Sequence, residues 1–148
     1  MLNIAKHIIF SLFSFLMLYS CANVNQEKKF LSNLENVIQQ QTEDAVIINI
    51  DSLTEFDWDV LYIFKPYTSN RKINKELGEE WLDSEGLSLL SSESYTLFVF
   101  KKNNKIVNDF FVPSKISKEF GFLNAIKYSK DKAKFISVKG EYTIRNFN

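Results

Sequence analysis

The sequence predicts an α+β domain: an antiparallel sheet of four to five strands, an N-terminal helix, and a short helix after the second strand. Three observations predict it. Apolar residues recur at helical spacing near the start of the domain, at Phe30, Leu31, Leu34, Val37 and Ile38, with Asn, Glu and Gln between them. Short β-branched and aromatic runs bounded by turn residues follow. Two of those runs flank Asn103-Asn104, a pair that tolerates positive φ and so marks a hairpin.

Each element has its own signal. The helical spacing begins at Phe30 and fades near Gln41. Ala45-Val46-Ile47-Ile48-Asn49-Ile50 is too short for a helix and reads as a buried strand. Residues 58–64 read as a second strand with Trp58, Val60, Tyr62 and Phe64 on one face and Leu61 and Ile63 on the other. Both faces are apolar, so this strand should be central and covered on both sides. Pro66 ends it, Thr68 or Ser69 can cap a helix from Asn70 to Leu77, and Gly78 supplies a left-handed stop. Residues 82–94 read as a loop with a helical turn at 87–90. Strands at 95–100 and 106–112 form the hairpin, which Pro113 ends. A short helix is expected at 120–128, then one long or two short strands at 134–138 and 142–144.

The first twenty residues are of a different kind. Lys6 and His7 precede an apolar run from Ile8 to Leu18, and Tyr19-Ser20-Cys21 follows. That is the order of a secretory signal. The run is about a dozen residues long, whereas a membrane-spanning helix needs about 20. The tetrad Leu18-Tyr19-Ser20-Cys21 resembles the bacterial lipobox, in which the cysteine receives diacylglycerol. The resemblance implies a signal peptide over 1–20, lipid on Cys21, a tether over 21–28 and a single domain over 29–148. Several acyl chains on one residue make an essentially permanent anchor, so the membrane is the expected partner. Because Ala22 follows the cysteine and no acidic residue occurs before Glu27, resemblance to sorting rules implies an outer membrane, periplasm-facing location in a two-membrane host.

Composition narrows the chemistry. Lys plus Arg equal Asp plus Glu at 18 each, and the basic residues are scattered, which disfavours nucleic acid or anionic lipid as the main partner. The only histidine is His7 and the only cysteine is Cys21. A domain starting after Cys21 therefore lacks the usual neutral-pH base, thiol nucleophile and zinc ligands. A Ser-Lys pair, a carboxylate pair or calcium would remain, and no motif points to any of them. No cofactor or metal is expected.

The run Phe56-Asp57-Trp58-Asp59-Val60-Leu61-Tyr62-Ile63-Phe64-Lys65-Pro66-Tyr67-Thr68, with Leu77-Gly78 and Trp81, resembles a group of short bacterial lipoproteins of unassigned activity. They carry a Trp-Asp, Tyr-Ile-Phe, Pro-Tyr-Thr element before a helix. The resemblance spans about residues 45–112 and implies no catalytic residue.

Asp51, Glu55, Asp57 and Asp59 are close enough to suggest calcium, but they lack the glycine and ligand order of an EF-hand loop. Turn and strand-edge roles suit them better. Tyr67, Trp81, Phe110 and Phe111 are the aromatic residues considered for partner contact, against the simpler reading that they fill the core. Phe110 and Phe111, being neighbours on a strand, must face opposite ways. The function expected from these signs is a non-enzymatic envelope lipoprotein that binds another envelope component. An inhibitor of a lytic or antibiotic-degrading enzyme and a carboxylate- or Ser-Lys-dependent hydrolase are the alternatives.

Overall fold

The computed structural model describes residues 25–39, 45–81, 91–117, 120, 123, 126–138 and 144–146. Cys21 and the rest of residues 1–24 lie outside them, as does the turn expected at 87–90. The fold is α+β, with an N-terminal helix and a short helix after the second strand.

Helix α1 covers 25–39 and buries Phe30 and Leu34 completely. It begins before Phe30, so residues 25–28 are its first turn rather than tether. Glu27 gives the reason: its carboxylate accepts the Phe111 N–H at 3.0 Å and fixes the helix start to the sheet.

Among the described residues, strand β1, Ala45–Asn49, pairs only with β6, Lys134–Val138, which pairs in turn with β7, Ile144–Asn146. Expected as buried, β1 is instead an edge strand whose Ile47 is 53% exposed, while Val46 and Ile48 turn inward. Ile50 leaves the strand and opens the short helix α2, Ile50–Leu53.

The second sheet has the antiparallel order β4-β3-β2-β5. Strand β2, Val60–Phe64, lies between β3, Tyr95–Lys102, and β5, Lys127–Ser129. It is the central, doubly covered strand that its two apolar faces predict. Leu61 and Ile63 enter the main core, and Tyr62 and Phe64 enter a second cluster on the opposite face. Trp58 departs from the expected alternation. It precedes the strand, and it packs with Leu61 and Ile63 instead of Tyr62 and Phe64. The pleat does not extend back to it, because Asp59 N–H already bonds Lys101 O at 2.8 Å where the β3–β4 register slips after Phe100.

Strand β5 stands where the end of a helix was expected. Leu61 pairs with Tyr128 and Val60 with Ser129, so the free side of β2 recruits this segment despite its helical look. Lys127, Tyr128 and Ser129 alternate exposed, buried, exposed. Phe120 and Leu123, read as part of the same helix, are buried in the main core.

Helix α3, Asn70–Leu77, follows its sequence signals closely. Ser69 Oγ accepts from Lys72 N–H, and Gly78 ends the helix at φ 72°. Ile73 and Leu77 cover the second cluster with Trp81, Leu97 and Val99. At the β3–β4 turn Asn103 and Asn104 both adopt positive φ, 49° and 62°. Strand β4, Lys105–Pro113, ends at the proline as expected, and a short helix α4, Ser114–Ser117, follows.

The main core lies between the two sheets and α1. Phe30 sits 5.2 Å from Phe110 and 5.9 Å from both Phe98 and Phe100, and Phe120 stands edge-on to Phe98 and Phe135. Such offset and edge-to-face pairs add about 0.5–1.5 kcal/mol each beyond burial. A chain with no disulfide among its folded residues relies on this aromatic packing.

Candidate functional site

Two connections pass between the sheets. Residues 50–59 lead from β1 to β2, and residues 130–133 lead from β5 to β6. They run side by side, with Ile50 N–H donating to Ala133 O at 3.1 Å and Lys130 N–H to Asp59 O at 2.9 Å. Strand ends and turns favour polar side chains, so their crossing collects charge.

The result is a cleft of about 480 Å³ lined by Asp51, Asp59, Lys130, Asp131 and Lys134 and bordered by the buried Trp58. Lys130 Nζ is 3.1 Å from Asp51 and 3.4 Å from Asp57, and it lies 5.7 Å from the Trp58 ring centroid. Asp57 also pairs with Lys102. Asp59 turns to the hairpin, accepting Asn103 N–H at 2.8 Å.

These contacts set the charges. Hydrogen bonds from Lys102 and then Lys130 hold the Asp57 carboxyl below its usual range. Asp51 first, and then Asp57, raise Lys130 above an ordinary lysine. The Ser129 hydroxyl lowers Asp131. A lysine must lose its proton to act as a base, and Lys130 is held charged. The cleft is suited to hydrogen-bonding a polar or zwitterionic group.

A second carboxylate pair lies at the β4 edge. Glu27 is raised chiefly by burial, with the Asp109 charge adding to it against the Phe111 N–H bond that lowers it. Asp109 itself accepts Trp81 Nε1–H at 2.8 Å.

The four aromatic candidates separate sharply. Phe110 is fully buried in the main core, and Trp81 is 4% exposed beneath the second cluster. Both pack in the core. Phe111 is half-buried against Trp81 at 6.0 Å, on the opposite face from Phe110. Tyr67 alone projects, 65% exposed. Among the described residues, the acids considered for calcium form no group of three or more placed to hold a metal ion: Asp51 and Asp57 hold Lys130, Glu55 pairs with Lys29, and Asp59 caps the hairpin.

Sequence reasoning missed Lys130, Asp131 and Lys134. Their signal was the polar Ser129–Lys132 break ahead of a strand, but reading 120–128 as a helix hid that this break lies opposite Asp51. No family model matches the chain, and neither the curated proteins nor the solved structures give a match.

Proposed function

We propose that the chain is a lipid-anchored bacterial envelope protein whose folded domain binds another envelope component without catalysing a reaction. The observation that carries this reading is the Leu18-Tyr19-Ser20-Cys21 tetrad behind a short apolar run, with Cys21 the only cysteine of the chain. The state of the cleft supports the non-catalytic part. Its central lysine is committed to two aspartates, and no histidine follows His7. The polar groups around it can bind a ligand but have no evident means of moving a proton at neutral pH.

Metabolic labelling with a fatty-acid probe tests the anchor. The wild-type chain should take up label and Cys21→Ser should not, its precursor remaining uncut; persistent label on the mutant would exclude Cys21. Cross-linking in cells, followed by purification of the labelled chain, tests the binding role. A specific envelope partner should be captured by wild type and lost when Lys130→Gln and Lys134→Gln are combined.

A further inference from the structure

The neutral total charge conceals a local imbalance. From Val60 to Glu76 the chain carries four basic residues, Lys65, Arg71, Lys72 and Lys75, against one acidic residue, Glu76, exposed one turn from Lys72. Arg71, Lys72 and Lys75 are exposed and Lys65 is half-exposed. The ion-paired cations among the described residues are Lys29, Lys101, Lys102, Lys115 and Lys130, so none of these four has an ion-pair partner among the described residues. Because Ile73 and Leu77 face the core, Arg71 and Lys75, at i and i+4, share the outer side of α3. Like charges at that spacing repel, and an external anion would relieve them.

Beside this patch stands Tyr67. Thr68 N–H donates to Lys65 O at 3.2 Å, closing a turn whose third residue, Tyr67, has φ 61°. Positive φ at that position normally selects Gly or Asn. Here it carries an aromatic residue that is left largely exposed. Tyrosine is enriched at membrane–water interfaces, where its ring enters the headgroup layer and its hydroxyl stays wet.

We propose that the surface formed by Lys65, Tyr67, Arg71, Lys72 and Lys75 docks on an anionic phospholipid bilayer. The cations match the phosphates by charge, and Tyr67 inserts beside them. This deepens the lipoprotein reading and rests on it, because the Cys21 anchor is what keeps a four-cation patch close to a bilayer. Anchor and patch together would hold the domain in one orientation.

The test uses the acylated full chain carrying Glu76→Cys, an exposed position one turn from Lys72, labelled with a monoanionic environment-sensitive dye that replaces the lost carboxylate charge, and reconstituted in vesicles. On vesicles containing phosphatidylglycerol the dye should shift to the blue and be quenched by brominated acyl chains. On pure phosphatidylcholine it should not. Each cation removed, by Arg71→Gln, Lys72→Gln or Lys75→Gln, should lower the docked-to-undocked ratio about fivefold. Arg71→Lys should preserve it, and circular dichroism would verify that α3 persists. Equal dye exposure on both vesicle types would overturn the proposal. So would shielding in cells but not on phosphatidylglycerol vesicles, which would assign the patch to a protein. Retention of the chain through a molar salt wash reports the anchor separately: a chain that washes off refutes acylation, whereas a retained chain with an exposed dye refutes the patch.

Discussion

The Glu27 carboxylate accepts a hydrogen bond from the Phe111 backbone N–H at 3.0 Å, joining the first turn of α1 to the edge of β4. It satisfies an outward-facing edge N–H while placing a half-buried acid near Asp109. Burial raises Glu27 above its ordinary 4.5, so the folded state holds that proton more tightly than the unfolded chain. The associated stability is complete below about 4.5 and is lost as pH rises through the elevated folded value. Urea unfolding of Glu27→Gln should lack this decline in the range just above 4.5. A mutant that keeps the wild-type slope would show that the slope comes from another group.

Trp58 fills the space between the sheets, with no exposed surface, and donates Nε1–H to Thr54 Oγ1 at 2.9 Å. Truncation to Ala should cost about 3–5 kcal/mol, a large share of the ~5–15 kcal/mol available to a domain. Thr54→Val should cost about 1 kcal/mol by leaving the indole donor unsatisfied. Chemical denaturation of both variants checks the ratio, and an indifferent Trp58→Ala would remove the indole from the core.

Lys101 is a buried cation held by Glu79 at 2.7 Å and by the Leu77 carbonyl at 2.6 Å. Its position joins the end of α3 to the middle sheet strands. Glu79→Ala should destabilise by about 2–3 kcal/mol, because it leaves a desolvated charge with only a carbonyl partner. Lys101→Met removes the charge together with its desolvation and should cost less, about 1 kcal/mol for the carbonyl left unpaired. The reverse order in denaturant midpoints would mean that the ion pair itself, and not its burial, sets the balance.

Acid should weaken the junction between the sheets. Lys102 and Lys130 depress Asp57 below 3.8, so its contribution is complete above that value and is lost as pH falls through the depressed one. Asp57→Asn should flatten this acid limb. Because the groups are exposed, added salt should shrink the difference between mutant and wild type. An acid limb unchanged in the mutant would place its origin elsewhere.

Local chemistry made several elements readable without the structure. Ser69, Gly78, Asn103-Asn104 and Pro113 act within a few residues of themselves, through a side-chain cap, positive φ or a missing N–H, so α3 and the hairpin fall where their residues say. The two-faced apolarity of β2 likewise required cover on both sides. By contrast, Phe120 to Tyr128 looks helical in isolation, and only the vacant side of β2 turns its last residues into a strand.

The same division holds for function. The sequence by itself determined the lipobox-like tetrad at Cys21, the lack of histidine beyond His7, and the α+β fold class, because each depends on residue identity or short-range pattern. Tertiary structure alone decided which aromatic residue is exposed, and it placed Lys130 between Asp51 and Asp57, residues some 70 to 80 positions away. Exposure and ion pairing depend on what the rest of the chain brings alongside a residue, and strand pairing between distant segments sets that.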